Sequence, residues 1–95
     1  MHHERVSVIP EIPRRGSEVS IKYKGILFEN GADAIWMHYG FDGWSNVTDL
    51  QMEKQHDGFY CKIKAEGRKD LNLCFKDSAD HWDNNTGINW NIPIR

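Results

Sequence analysis

Four stretches of the sequence alternate between apolar and polar residues, and this period of two constrains the fold more than any other feature. They are residues 18–24, 59–65, 70–76 and 88–94, while residues 34–40 are apolar on both faces, as in a central strand. Alternation is typical of β-strands that bury one face, and no stretch shows the spacing of an amphipathic helix. Turn-forming sequence separates the strands at Asn30-Gly31, Asp42-Gly43, Asp57-Gly58, Glu66-Gly67 and the amides before Gly87. Short strands joined by turns predict an all-β protein built as an antiparallel β-sandwich.

The length of 95 residues predicts one small domain that spans residues 1–95. Within it, we expect residues 1–17 to provide an N-terminal strand and a proline-containing connection, and residues 18–95 to form the core of the module. A domain of this size buries only about 60–65% of its unfolded surface, so its core is modest. Four of the eleven aromatic residues are tryptophans, and a tryptophan outside that core calls for a functional reason.

Charge and hydropathy exclude several classes of partner. The formal net charge is −2 with neutral histidines, which argues against nucleic acid, because binding there depends on cations that neutralise phosphates. No apolar run is long enough to span a membrane, and the N-terminal residues lack the apolar region of a secretory signal. We therefore expect neither a nucleic-acid nor a membrane partner.

The two cysteines bear on the cellular compartment. Cys61 has the parity of the apolar residues Phe59 and Ile63, whereas Cys74 has the parity opposite to its apolar neighbours Leu71 and Leu73. One side chain is then expected to point inward and the other outward, which disfavours a disulfide between them. Two free thiols suit a reducing compartment. The expected location is cytoplasmic for a complete chain, and extracellular for a module of a secreted enzyme.

The four tryptophans fall into two groups. Trp90 alternates with three isoleucines and is predicted to be a core residue. Trp36 lies in the central strand and is either a core residue or the floor of an exposed face, with the core slightly favoured. Trp44 and Trp82 lie in turn-forming sequence, where they either fold back as lids over the sandwich or form a binding surface. Their neighbouring carboxylates and amides favour the binding surface.

The residue types around Trp44 and Trp82 suit a sugar. A pyranose ring has a flat face of C–H groups and a rim of hydroxyls. An indole is a stiff apolar plate for that face, and its ordering costs little side-chain entropy. Asparagine and aspartate supply hydrogen-bond acceptors, and asparagine also supplies donors. Such a site needs neither net charge nor a deep pocket.

Two motifs carry a family resemblance, HYGFDGW at residues 38–44 and FKDSADHWDNNTGINW at residues 75–90. Together they resemble the starch-binding carbohydrate-binding modules of family 25 and their close relatives, over roughly residues 19–94. The resemblance implies an immunoglobulin-like β-sandwich without catalytic activity. It also implies binding of α-1,4-linked glucans such as starch, glycogen and maltooligosaccharides.

The resemblance further implies a set of binding residues. His38, Trp44 and Trp82 would form an aromatic platform, and the amides of Asn84 and Asn85, with Asp83 beside them, would contact sugar hydroxyls. From the residues alone, a strand histidine can instead bond to a backbone carbonyl, and an Asp-Asn-Asn run can form a structural Asx turn. Modules of this kind are typically attached to secreted amylases. The expected partners are therefore an α-glucan and, beside it, a separate glucan-active enzyme.

Other functions fit the sequence less well. Glycoside hydrolysis needs two carboxylates across a water-excluding cleft, for which Asp42, Asp77, Asp80 and Asp83 are candidates by composition only. A calcium loop needs a late bidentate glutamate, and no glutamate follows Glu66. We therefore expect no catalytic residue, no cofactor and no metal. The alternative that remains is a β-sandwich that binds another protein through the same exposed aromatic residues.

Overall fold

The computed structural model describes residues 5–95, so the first four residues of the predicted N-terminal segment lie outside the described chain. Within this range the chain forms nine β-strands and one short helix. They are β1 (Val6–Ile9), β2 (Glu18–Tyr23), α1 (Ile26–Glu29), β3 (Ile35–Phe41), β4 (Ser45–Gln51), β5 (Glu53–Gln55), β6 (Gly58–Lys64), β7 (Asp70–Asp77), β8 (Trp82–Asp83) and β9 (Trp90–Pro93). No helix of the described chain has the length and apolar character needed to cross a membrane.

The strands form two antiparallel sheets that share one hydrophobic core. One sheet has the order β1-β2-β6-β5, and the other has the order β4-β3-β7 with both β8 and β9 paired to β7. This arrangement matches the A-B-E-D and C′-C-F-G sheets of an immunoglobulin domain, with β8 and β9 together in the place of strand G. The predicted immunoglobulin-like antiparallel β-sandwich is confirmed.

The alternation of apolar and polar residues along the strands explains which side chains form the core. Most apolar residues of each sheet turn into the space between the sheets, and most polar residues turn outward. Trp90, Tyr23, Phe59 and Phe75 are the largest of the fully buried side chains, and the rings of Tyr23 and Phe75 stack with centroids 4.2 Å apart. Trp90 is 1% exposed, so its predicted place in the core is confirmed.

Two side chains depart from the sequence pattern. Ile88 has the parity of a core residue, yet it is 73% exposed, because β9 begins only at Trp90 and Ile88 lies in the loop before it. Trp36, for which the core is favoured by the sequence, is only half-buried and lies on the outer face of β3 with His38. That expectation is wrong because both faces of this strand are apolar in sequence, and parity alone does not say which face is inside.

The edge formed by β8 and β9 is interrupted by residues 84–89, which we call the amide loop. Phe75 of β7 pairs with Asp83, and Leu73 pairs with Trp90. The single residue between them on β7, Cys74, therefore faces the whole loop, where an uninterrupted ladder would place one residue. The extra residues bring polar backbone and side chains to the outer face of the sheet.

The two cysteines lie on different sheets, Cys61 on β6 of the four-stranded sheet and Cys74 on β7 of the five-stranded sheet. Both are buried and neither forms a disulfide. Cys61 points into the core, where its Sγ lies 3.9 Å from Sδ of Met37. Cys74 pairs with His38 across β3 and β7, on the outer side. The opposite orientation expected from their parity is confirmed.

Candidate functional site

His38, Trp44 and Trp82 lie together on the outer face of the five-stranded sheet. His38 projects from β3, Trp44 from the turn between β3 and β4, and Trp82 from β8. The imidazole centroid lies 5.7 Å from the Trp44 indole, with the planes inclined at 34°. It lies 5.3 Å from the Trp82 indole, with the planes at 90°. Residues that are far apart in the sequence thus form one aromatic cluster, which we call the platform.

A strained turn holds Trp44 in the platform. Asp42, Gly43 and Trp44 have positive φ angles of 51°, 79° and 71°. For a bulky residue such as Trp44 this conformation is unusual and costs about 1–3 kcal/mol. The Asp42 carboxylate offsets part of that cost, because it accepts hydrogen bonds from the N–H groups of residues 68 and 69 at 2.9 and 2.6 Å. Gly40 lets the turn fold back over β3, since a Cβ there would lie 3.0 Å from the Trp44 Cα.

Trp82 is oriented by its neighbours rather than by burial. It pairs with Lys76 across β7 and β8, and Nζ of Lys76 lies 5.4 Å from the indole centroid, within cation–π range. The turn before β8 is closed by Asp77, whose carboxylate accepts the backbone N–H groups of Ala79 and His81. The indole is nevertheless 47% exposed. Its direction is therefore set while much of its surface stays open to a ligand.

Asp83 does not have the role that the family resemblance implies. Its side chain turns inward and is 6% exposed, since adjacent residues of a strand point to opposite faces. Its Oδ2 accepts the hydroxyl of Tyr23 at 2.7 Å, and its Oδ1 accepts the N–H of Asn85 at 3.3 Å. Burial and this hydrogen bond raise the pKa of Tyr23, so that its hydroxyl stays protonated and donates. Asp83 fastens β8 to β2 of the other sheet.

The amide loop uses part of its side chains for its own structure. The N–H of Gly87 donates to Oδ1 of Asn84 at 3.0 Å, which is the Asx-type turn anticipated as an alternative. Nδ2 of Asn85 donates to the carbonyl of Asn89 at 3.0 Å. Within residues 5–95, Nδ2 of the exposed Asn84 and Oδ1 of the half-buried Asn85 make no hydrogen bond. Each residue therefore has one amide atom without a hydrogen bond, but neither residue lines the open groove beside the platform, which Asn89 of this loop does line.

A charged group beside the platform fixes the imidazole. Nδ1 of His38 donates to Oδ1 of Asp49 at 2.5 Å, and Nζ of Lys76 lies 3.5 Å from Oδ2 of the same carboxylate. Partial desolvation raises the pKa of Asp49, but the hydrogen bond from His38 and the charges of His38 and Lys76 outweigh it and hold that pKa below its ordinary value. Asp49 stays ionised and orients the ring, which leaves Nε2 of His38 for a ligand.

An open groove lies beside the three side chains of the platform. It is lined by His38, Trp44, Val47, Cys74, Trp82 and Asn89. Sequence reasoning missed three of these as site residues. For Cys74 a signal existed, because its parity is opposite to that of the core residues around it. Val47 lies on β4, an edge strand with almost every residue exposed and therefore without an apolar alternation.

The side chains that line the groove can stack on a ligand and form hydrogen bonds with it. Its lining offers two indoles, an imidazole and an amide, and none of its lining residues is a carboxylate. Glycoside hydrolysis needs a pair of carboxylates that flank the scissile bond. Among residues 5–95, no group of three or more His, Cys, Asp or Glu side chains is placed to hold a metal ion. Stacking and hydrogen bonding are what this arrangement supplies.

Comparison with known proteins places the chain in a family. The sequence model described as starch/carbohydrate-binding module (family 53) matches residues 19–73, more than half of the chain and a range that includes His38 and Trp44. An α-amylase of Clostridium acetobutylicum is 34% identical over 95 residues. That alignment covers 96% of this chain and 12% of the amylase, so the chain spans only a small part of its relative. No solved structure gives a significant match.

These matches identify the class of the protein, but they do not establish the particular family that the two motifs resemble. The prediction of a starch-binding carbohydrate-binding module is confirmed, whereas the specific likeness to family 25 stays a prediction. The matched family consists of binding modules and not of enzymes. Its ligand class also agrees with the stacking and hydrogen-bonding groups of the groove. On the match to residues 19–73, this chain belongs to the starch/carbohydrate-binding modules of family 53.

Proposed function

We propose that this domain binds α-1,4-linked glucans such as starch, glycogen and maltooligosaccharides, and that it catalyses no reaction itself. The observation that carries the proposal is the platform, in which an imidazole lies within 5.3 and 5.7 Å of two indoles at an open groove. The indoles of Trp44 and Trp82 are inclined at 34° and 90° to the same imidazole, so they are not parallel. Non-parallel plates suit a curved α-glucan, whereas a flat β-glucan suits a coplanar row.

Hydrogen bonds to the sugar rim complete the proposed site. Nε2 of His38, Nδ2 of Asn84 and Oδ1 of Asn85 supply a mixture of donors and acceptors for hydroxyl groups. Stacking places the ring, and these atoms select its hydroxyl arrangement. Asp83 acts only indirectly, because it holds the strand from which Trp82 projects.

The biological setting is a further part of the proposal. The relative is named an α-amylase, and the matched segment makes up 12% of it. We infer that the present domain works beside a glucan-active enzyme and keeps it close to its polysaccharide. The location then follows that enzyme. A secreted enzyme brings the domain to extracellular starch, and a cytoplasmic one brings it to glycogen.

Affinity electrophoresis tests the proposed ligand. The parent protein, Trp82→Ala and Tyr60→Ala are run in native gels without polysaccharide, with soluble starch and with glycogen. Tyr60 is a matched control, because it is a half-buried aromatic residue on the outer face of the other sheet. The parent and Tyr60→Ala should be retarded by both polysaccharides, while Trp82→Ala should migrate as in the empty gel.

A pull-down on insoluble polysaccharide gives the specificity. Granular starch should retain the parent, and cellulose should not, because the two indoles are not coplanar. Equal retention by starch and cellulose would refute the assignment to α-glucans. Unchanged retention of Trp82→Ala on starch would show that binding occurs away from the platform.

A further inference from the structure

A fourth aromatic residue, Trp36, lies on the same face as the platform. Trp36 precedes His38 by two residues on β3, so the two Cα atoms are about 7 Å apart along the strand. Trp36 also pairs with Lys76 of β7, which in turn pairs with Trp82 of β8. Lys76 therefore stands between two indoles in one row across the sheet.

The surroundings of Trp36 combine an aromatic floor with charged and polar side chains. Its half-buried indole forms part of an open trough with a polar rim. The other residues that line this trough are Asp49, Lys76, Asp77, Ser78 and Asp80. Carboxylates accept hydrogen bonds from sugar hydroxyls, and the lysine ammonium donates to them. The Ser78 hydroxyl donates to Oδ1 of Asp33 at 3.1 Å, so its oxygen serves a sugar as an acceptor. An aromatic floor with a polar rim suits a neutral polyhydroxylated ring.

The trough adjoins the groove, because two of its lining residues contact residues that line the groove. Asp49 contacts His38 at 2.5 Å, and Nζ of Lys76 lies 5.4 Å from the centroid of the Trp82 indole. Strands two places apart in a sheet are separated by roughly 10 Å, which is the spacing of β3 and β8 on either side of β7. A glucan that lies on Trp82 and His38 can reach Trp36 with the next sugar rings.

We propose that Trp36 forms the floor of an additional glucosyl subsite, which extends the platform and makes the domain prefer longer α-glucans. This inference rests on the proposed function, since it assumes that a glucan occupies the platform. Short oligosaccharides fill the groove between Trp44 and Trp82. Longer ones gain a further stacking contact and the polar rim of the trough. Affinity should therefore rise with chain length until the Trp36 subsite is filled.

Calorimetric titration with maltotriose and maltoheptaose tests the subsite. The variants are Trp36→Thr, which keeps a strand-forming residue, Tyr60→Thr as the control on the other sheet, and Trp82→Ala. Trp36→Thr should bind maltotriose as the parent does and should lose about two- to tenfold in affinity for maltoheptaose, as the loss of one stacking contact implies. Tyr60→Thr should change neither affinity.

The outcomes separate the two proposals. If Trp36→Thr weakens both sugars equally, or neither, the subsite is overturned while the platform stands. If Trp82→Ala binds both sugars as the parent does, the platform itself is wrong. Thermal melting of each variant establishes that it is folded before titration.

A second measurement uses the unaltered protein and does not depend on how variants fold. The indole N–H resonance of Trp36, assigned by triple-resonance spectroscopy, is followed during titration with each sugar. It should shift with maltoheptaose and stay in place with maltotriose, whereas the indole resonance of Trp82 should shift with both. A Trp36 resonance that does not respond to saturating maltoheptaose contradicts the subsite.

Discussion

Trp82 and Trp90 lie on the same edge of the same sheet, yet one indole faces solvent and the other fills the core. Their exposed fractions are 47% and 1%. They are eight positions apart, an even number that would put both on one face of an uninterrupted strand. Their partners on β7, Lys76 and Leu73, are three residues apart and so point to opposite faces. The amide loop between the tryptophans interrupts the alternation of inward and outward side chains, so the two indoles point to opposite faces of the sheet.

The difference shows how a small sandwich acquires a binding site without losing its core. The strand edge that would otherwise be continuous is opened by a loop, one tryptophan is turned out, and the other stays inside. Because the two indoles have different surroundings, stability and binding should depend on different residues of one short segment. The following predictions test that separation.

The largest effect is expected for Trp90→Ala. Removal of a fully buried indole leaves a cavity and should lower the free energy of unfolding by about 3–5 kcal/mol, a large part of the roughly 5–15 kcal/mol of a small domain. Trp82→Ala, the matched change on the outer face, should alter it by less than about 1 kcal/mol. Urea denaturation of both variants measures the difference. If Trp82→Ala unfolds the domain and Trp90→Ala only weakens glucan binding, the two assignments are reversed.

Tyr23→Phe should have a smaller effect on stability, of about 1–3 kcal/mol, because it leaves the buried Asp83 carboxylate without the hydroxyl donor. The effect should also depend on pH. The pKa of Tyr23 is raised in the folded state, above its ordinary value of 10.0, so the folded chain keeps a proton that the unfolded chain releases. This contribution is fully present below pH 10.0 and is lost as the pH rises above it.

Denaturation curves of the parent and Tyr23→Phe at neutral and alkaline pH measure this pH-dependent contribution of Tyr23 to the free energy of unfolding. The difference in unfolding free energy between the two proteins should narrow as the pH rises above 10.0. Other alkaline titrations are common to both proteins and cancel in the difference. A difference that stays constant with pH would show that the Tyr23 hydroxyl does not hold its proton more tightly in the folded state.

The smallest effect on stability is expected for a substitution of Asn85 in the amide loop. Asn85 has a φ of 55°, and its Nδ2 donates to the carbonyl of Asn89. Asn85→Gly keeps the backbone conformation accessible and loses only the hydrogen bond, at a cost of about 0.5–1.5 kcal/mol. Asn85→Ala should cost about 1 kcal/mol more, because the left-handed region is unfavourable for alanine. Equal stabilities of the two variants in thermal melts would show that the positive φ stores no strain.

Much of the fold could be predicted from the sequence because its signals are local. Alternation over 18–24, 59–65 and 70–76 corresponds to β2, β6 and β7, and each contributes apolar residues to the core. β4 gave no signal, since an exposed edge strand needs no apolar side. The four-residue helix α1 is too short for a helical period to appear.

The candidate site was less accessible to the same reasoning. His38, Trp44 and Trp82 could be named from their motifs, but their distances from one another could not. The family resemblance placed Asp83 among the sugar-binding residues, beside Asn84 and Asn85. Its actual partner is Tyr23, sixty residues away on the other sheet.

Local sequence patterns were enough to predict the sandwich, the place of Trp90 in the core and the starch-binding class, because alternation and motif composition depend on neighbouring residues. The folded structure was needed to show that Trp36 faces outward, that Asp83 faces inward and that the platform opens on a groove. These features depend on which strands pair and in which register. Pairing joins residues that are distant in the chain, and no local pattern records which face of a strand the opposite sheet will cover.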